Sequence, residues 1–304
     1  MMSFEEFTEH ILREIRVRAD GAFQVKKHDV TQNNNVKQTG ITVMKEGVDI
    51  EPCVYLDEFY REYESDGMKF DEIVDKVYRM ILKCEEDTPD FDMSGFQSWE
   101  TVHGDIYPKL VNAKQNKELL EKIPHRNFMD LAVVYYAIAR DQAQEDIGTI
   151  LIYNGHMEIW GQEEENLYQT AMRNMRADGE ADFVTLESVV KHILRGITLP
   201  DEESKDLRSK NMYILTNHSR RFGAAEILDK KTLRTIADQI GDRFIVLPSS
   251  VHETIVLPPK EEAEYGRLAD MVREVNDTQI DVEERLSDHV YVYSRDEEML
   301  KIVA

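Results

Sequence analysis

The chain predicts an α+β fold, with hairpin-linked antiparallel or mixed sheets covered by amphipathic helices and two units in all. Three observations carry that expectation. In the tract Phe244–Ile245–Val246–Leu247–Pro248–Ser249–Ser250–Val251–His252–Glu253–Thr254–Ile255–Val256–Leu257–Pro258, two apolar runs, each closed by Leu-Pro, flank a tight polar connection, the pattern of a buried β-hairpin. Residues 70–84 place Phe70, Ile73, Val74, Val77, Tyr78, Ile81 and Leu82 on one helical stripe. Elsewhere strands and helices mix without the regular alternation of a doubly wound parallel sheet.

Taken in order, residues 3–18 set Phe4, Phe7, Ile11, Leu12 and Ile15 on one face of a helix, with Ser3 as N-cap and Asp20–Gly21 as the stop. Residues 22–30 and 36–45 read as strands separated by the turn cluster Asn33–Asn34–Asn35. A third strand is expected at residues 50–56 and a helix over 57–63. The 70–84 helix then covers one face of this sheet. The acidic, proline-bearing run Glu85–Glu86–Asp87–Thr88–Pro89–Asp90–Phe91–Asp92 breaks the periodicity and marks a boundary, giving units 1–88 and 89–304.

Beyond it, helical segments are expected at 97–122, strands at 128–140 and 148–160 with a turn at Asn154–Gly155, and helices at 162–177 and 186–195. Residues 200–210 form a polar connection, 212–216 a short strand and 222–240 a mostly helical stretch. After the 243–257 hairpin come a helix from 260 to 275 and a last hairpin over 290–303.

The charge balance is the unusual bulk quantity. Acidic side chains number 60 against 37 basic ones, for a net charge of -23. Such a chain repels phosphate backbones and anionic membranes at long range, so neither nonspecific nucleic acid nor a membrane surface is an expected partner. The acids lie in short runs such as Glu163–Glu164–Glu165 and Asp201–Glu202–Glu203, which read as solvated helix faces or, more sharply, as a surface for a basic partner. Cys53 and Cys84 are the only cysteines and lack metal-like spacing. The start, Met1–Met2–Ser3–Phe4–Glu5–Glu6, carries acids where a signal peptide has cations, and the apolar run 131–139 is shorter than the ~20 residues of a membrane span. The expected compartment is the cytoplasm.

Three segments in matching order resemble an uncharacterised family of bacterial proteins, a domain of unknown function. They are Gly40–Ile41–Thr42–Val43 with Tyr55–Leu56–Asp57–Glu58–Phe59–Tyr60, then Tyr213–Ile214–Leu215–Thr216–Asn217 with Gly223–Ala224–Ala225, and the hairpin signature Leu247–Pro248–Ser249–Ser250–Val251–His252–Glu253. A second uncharacterised bacterial family is resembled by Trp160–Gly161, Glu164–Glu165–Asn166–Leu167, Ala171 and Asn174. Neither resemblance implies a catalytic residue, a cofactor or a partner.

Ser249, His252 and Glu253 in the hairpin connection are the nucleophile, base and acid types of a hydrolase. Neighbours on an extended strand point to opposite faces, so turn structure is the competing account. Asn217, His218, Arg220, Arg221 and Gly223 link a short strand to a helix. Two guanidinium groups beside free backbone N–H groups suit a phosphate or carboxylate, although the P-loop spacing is absent. The competing account pairs both arginines with neighbouring acids. His156 and Glu158, two apart on an expected strand, do not make a metal site alone, and no metal or cofactor is expected. The other histidines, His289 among them, read as surface or boundary residues. Trp99, Trp160, Tyr135, Tyr136, Tyr291 and Tyr293 read as packing residues because no basic groove accompanies them.

These features favour a non-catalytic protein that binds a protein or a small anionic ligand. The alternatives are a hydrolase or ligand-processing enzyme built on the 249–253 hairpin or the Arg220/Arg221 loop, and an acidic inhibitor or nucleic-acid mimic.

Overall fold

The protein is described here by a computed structural model covering residues 2–44, 53–65, 67–87, 93–140, 146–193 and 211–304. The start of the expected third strand, the boundary run from residue 88 to 92, and the 200–210 connection with its acidic run Asp201–Glu202–Glu203 lie outside these residues. The architecture is α+β, with antiparallel sheets of three, four and six strands. The chain divides into two compact units, Met1–Phe96 with Ala139–Gly148, and Gln97–Ile138 with Thr149–Ala304.

In the first unit, α1 (Phe4–Ala19) begins at a capping box. Ser3 Oγ accepts the Glu6 N–H at 3.3 Å, and Glu6 accepts the Ser3 N–H at 2.9 Å. The helix ends where Asp20 turns left-handed at φ 43°. Strands β1 (Gln24–Thr31), β2 (Lys37–Met44) and β3 (Cys53–Tyr55) form a sheet in that order. Helices α2 (Asp57–Ser65) and α3 (Phe70–Asp87) follow. Phe7, Ile11 and Ile15 of α1, Ile41 of β2, and Ile73, Val77 and Ile81 of α3 are fully buried in one core. Each such side chain contributes about 1.5–3 kcal/mol of transfer free energy. The helical stripe of α3 stops short of its last expected member, since Leu82 is 36% exposed.

The second unit holds two sheets, apart from strand residues 139–140 and 146–148, which belong to the first. One is built from β4 (Ile106–Asn112), β5 (Arg126–Phe128), β6 (Leu131–Arg140) and β7 (Asp146–Leu151), with β6 pairing to the other three. The larger runs β13-β12-β10-β11-β9-β8. Its strands are β8 (Asp182–Thr185), β9 (Tyr213–Thr216), β10 (Arg243–Leu247), β11 (Thr254–Leu257), β12 (Tyr291–Ser294) and β13 (Met299–Ile302). The expected 243–257 hairpin is therefore its centre, with Val246 facing Val256.

Two expectations fail here. The 97–122 stretch is only briefly helical, at α4 (Trp99–Val102) and α5 (Lys117–Leu120), and between them lies β4. Pro108 hides that strand in the sequence because it cannot donate to a ladder. It is tolerated because β4 is an edge strand, paired among the described residues with β6 alone. Residues 154–160 form a helix, α6 (Asn154–Trp160), stopped by Gly161 at φ 61°. Asn154–Gly155 is its first turn, and His156 and Glu158 share no strand face. His156 instead caps the helix, with Nδ1 accepting the Tyr153 N–H at 3.0 Å.

Helix α7 (Glu164–Ala177) lies on β4, where Asn174 Nδ2 donates to the carbonyls of His103 and Ile106 at 2.7 and 2.9 Å. Helix α8 (Leu186–Ile193) follows β8. After β9 come a 3-10 turn at Gly223–Leu228 and α9 (Lys230–Ile240). Helix α10 (Tyr265–Gln279) covers one face of the large sheet, packing Tyr265, Ala269 and Val272 against Ile245, Leu247 and Leu257. Of the expected packing aromatics, Tyr135, Tyr291 and Tyr293 are at most 1% exposed, Tyr136 and Trp160 are buried, and Trp99 is half-buried.

Candidate functional site

The connection between β10 and β11 is not a solvent-facing turn. Ser249, Ser250 and Val251 are 8%, 3% and 2% exposed. The segment runs alongside residues 284–287, with Val251 N donating to Glu284 O at 2.8 Å, Leu286 N to Ser249 O at 2.9 Å, and Ser287 N to Pro248 O at 2.8 Å. Ser250 Oγ accepts the His252 N–H at 3.1 Å, the local turn bond of a serine, and Glu253 is half-buried at the foot of β11.

On its other side this connection meets the loop after β9. Thr216 Oγ1 donates to His252 O at 2.8 Å, Ala224 N to Val251 O at 3.3 Å, and Phe222 N to His252 Nδ1 at 3.3 Å. The Phe222 and His252 rings stack 5.4 Å apart at 16°. The fold thus joins the two segments that the sequence singled out separately. Gly223 is what permits the approach. A Cβ there would lie 2.2 Å from Thr216 Oγ1, 2.5 Å from Asn217 N and 2.8 Å from His252 O.

Asn217 builds the loop from inside, its Nδ2 donating to Arg221 O at 2.8 Å and its Oδ1 accepting the Arg221 N–H at 3.1 Å. That closure drives Arg220 and Phe222 into left-handed backbone, at φ 52° and 56°. Positive φ is uncommon for non-glycine residues and strained for one as bulky as phenylalanine. His218 points away, its Nδ1 3.0 Å from Asp182 Oδ1. The guanidinium groups of Arg220 and Arg221 have no ion pair with another described residue.

Lys109 of β4 was not among the expected site residues. Its Nζ stands 4.0 Å from the centroid of the Phe222 ring, whose edge-on neighbour is Tyr136 at 4.9 Å. Burial pushes its ammonium down from 10.5 to about 8, and no described residue bonds or pairs with it. The far end of the stack is His252 Nε2, 3.6 Å from Glu284 Oε1. A lysine set between Pro108 and Leu110 in an apolar run was the sequence signal for it.

Behind the Gly223–Leu228 turn lies a hollow of about 200 Å³, with Met175, Phe183, Glu226, Asp229 and Ile236 among its lining. Glu226 is 6% exposed, and its carboxyl has no hydrogen bond or ion pair with a described residue. Burial first, then the carboxylates of Asp229, Asp178 and Asp182, push it up from 4.5 to about 8. Asp229 is already engaged: it accepts Arg176 Nε at 2.8 Å and the Thr232 N–H at 3.2 Å, capping α9. The sequence signal was again one charge inside an apolar run, Gly223–Ala224–Ala225–Glu226–Ile227–Leu228.

A third polar cluster ties the two sheets of this unit together. Asp130, in the turn between β5 and β6, accepts Ser287 Oγ at 2.7 Å, lies 2.8 Å from His289 Nδ1, and accepts the buried hydroxyl of Tyr291. Ser287 Oγ and Asp130 Oδ2 both meet the imidazole at the same nitrogen, Nδ1, at 3.4 and 2.8 Å, so the cluster is a clamp and not a relay. His289 therefore has a partner that its place in the sequence did not reveal.

Among the described residues, no group of three or more His, Cys, Asp or Glu side chains is arranged to hold a metal ion. No helix among them is long and apolar enough to cross a membrane. Nothing among curated proteins or solved structures matches the chain. One family model matches residues 4–295, nearly the whole length, and the chain belongs to that family, described as Family of unknown function (DUF5688).

Proposed function

We propose that this protein acts by binding a small anionic ligand, one bearing a carboxylate or phosphate group, where the 217–222 loop meets the 248–253 connection, and that it does no chemistry on it. The supporting observation is Lys109. In a chain with 60 acidic side chains, this desolvated ammonium sits on the Phe222 ring with no acid beside it among the described residues. Removing a cation from water without a counter-ion costs free energy that a bound anion would offset. Arg220 and Arg221 add two guanidinium forks suited to carboxylate or phosphate oxygens. The left-handed backbone at Arg220 and Phe222 is strain of the kind retained at ligand clamps.

His252 gives Nδ1 to the Phe222 N–H and turns Nε2 toward Glu284, so neither ring nitrogen is offered to Ser249 or Ser250. That weighs against the hydrolase reading. A protein partner presenting a carboxylate or phosphate would use the same cations. The net charge of -23 argues against nucleic acid and anionic membranes as partners. A cytoplasmic location is part of the proposal, supported by a sequence of 304 residues that carries only two cysteines. So are a bacterial source and the Leu247–Glu253 tract as a family signature, both resting on the resemblance.

Calorimetric titration with inorganic phosphate and with acetate tests the reading. Saturable binding is expected that weakens above about pH 8, as Lys109 loses its proton, and that falls at least tenfold in Lys109→Met. Equal affinity in wild type, Lys109→Met and the Arg220→Ala/Arg221→Ala double variant would overturn it.

A further inference from the structure

We propose that the hollow behind the Gly223–Leu228 turn is a second binding site, one for a small organic cation, in which a primary ammonium or guanidinium group on a short apolar stem pairs with the carboxylate of Glu226. This goes beyond the anion site and does not depend on it. The hollow is a partly open concavity of about 200 Å³, room for a ligand of a few carbons at the ~30 Å³ that one water occupies in the liquid. Its apolar walls come from Met175, Phe183 and Ile236, which suit an alkyl stem. Its polar floor is a carboxyl that is 6% exposed and unpartnered among the described residues.

Buried carboxyl groups in folded proteins nearly always have a partner, because one without hydrogen bonds loses its hydration for nothing in return. Glu226 is thus an acceptor with a vacant bonding direction facing a cavity. The neighbouring charges set the sign of the ligand. Asp229, although paired with Arg176, adds negative potential at Glu226, as do Asp178 and Asp182. Asp178 accepts the Tyr107 hydroxyl at 3.0 Å, and Asp182 faces His218. At the rim Lys231 lies 3.8 Å from Glu180, and both side chains are more than three-quarters exposed, so their charges are screened by solvent. The field inside the hollow therefore favours a cation. A metal ion is a poor fit, because among the described residues no group of three or more His, Cys, Asp or Glu side chains is arranged to hold one.

Binding requires Glu226 to be ionised, so a cation would displace its proton. Affinity for an amine that stays charged is expected to rise as pH is taken from 6 toward 8, with one proton released per ligand bound near neutrality. The other charged groups around Glu226 are Asp178 and Asp182 nearby and Asp229, Glu180, Arg176 and Lys231 in the lining of the hollow.

The experiment titrates the full chain with n-butylammonium and n-butylguanidinium, with 1-pentanol as the neutral control of similar shape. Saturable binding at about 1 mM or tighter is expected for both cations and not for the alcohol. Glu226→Gln keeps the shape and removes the charge, and should weaken both cations at least tenfold. Ala181→Leu fills the hollow from its rim and should do the same without touching any carboxyl, which covers the case of a Glu226 variant that does not fold. Absence of saturable binding by either cation, equal binding of the alcohol, or unchanged affinity in both variants each overturns the proposal.

Discussion

Phe222 meets His252 twice, through a backbone N–H to Nδ1 bond of 3.3 Å and through rings stacked 5.4 Å apart. These two residues lie 30 positions apart in the chain and belong to different strand-end loops. Their contact makes one site out of two segments, and it rests on backbone approach at Gly223.

Gly223→Ala is therefore expected to be severely destabilising. Two of the three atoms that its Cβ would strike, Asn217 N and His252 O, are backbone and cannot swing aside. A loss of about 2–4 kcal/mol is expected in urea unfolding, larger than for a surface Gly→Ala change. Stability within about 0.5 kcal/mol of wild type would show that the close approach is not needed.

Lys109→Met should leave the protein as stable as wild type or more so at pH 7, because it removes a desolvated charge while keeping the stem. The sign follows from linkage. The folded ammonium titrates at about 8 and the unfolded one at 10.5, so between those values the unfolded chain holds more protons and wild-type stability rises with pH. The gain of wild type relative to Lys109→Met over that window is at most about 3 kcal/mol. A difference that stays flat from pH 7 to 10 would contradict the burial of this amine.

Glu226→Gln should show the opposite slope. Its folded carboxyl titrates at about 8 and the unfolded one at 4.5, so the folded chain holds the extra proton across that window. The stability contributed by the protonated acid is complete below 4.5 and is lost as pH rises through 8. Relative to the glutamine variant, wild type should lose up to roughly 5 kcal/mol between those limits. Denaturant midpoints measured in ligand-free buffer at several pH values read this directly.

Asp130→Ala is expected to cost about 3 kcal/mol, since it strands the buried hydroxyls of Ser287 and Tyr291 together. A double-mutant cycle with Tyr291→Phe should return a coupling of about 1 kcal/mol or more. Additive effects would remove Asp130 from its role as the clamp between the two sheets.

Local pattern alone specified much of the secondary structure. The Ser3 cap with Glu6, the stripe of α3, the Asn33–Asn35 turn and the paired Leu-Pro endings of the central hairpin each concern residues within a few positions of one another, and short-range sterics and hydrogen bonding decide them. Strand β4 and helix α6 escaped that reading for different reasons. The identity of β4 depends on β6, more than twenty residues away, and edge pairing overrode the signal of Pro108. At α6, Asn154–Gly155 has the chemistry of a turn and also of a first helical turn, and the Tyr153–His156 cap selects the helix.

The site divides in the same way. Asn217, Arg220, Arg221, Gly223 and His252 were marked by residue type, and the acidic balance and the α+β class needed only composition and periodicity. Tertiary structure alone brought the 217–222 loop against the 248–253 connection, placed Lys109 beneath Phe222, and set Glu226 in the lining of a hollow. The physical reason is that propensity and capping act between neighbours in the chain, whereas desolvation acts between neighbours in space. An ordinary lysine and an ordinary glutamate become unusual only when folding removes their water and leaves them no partner.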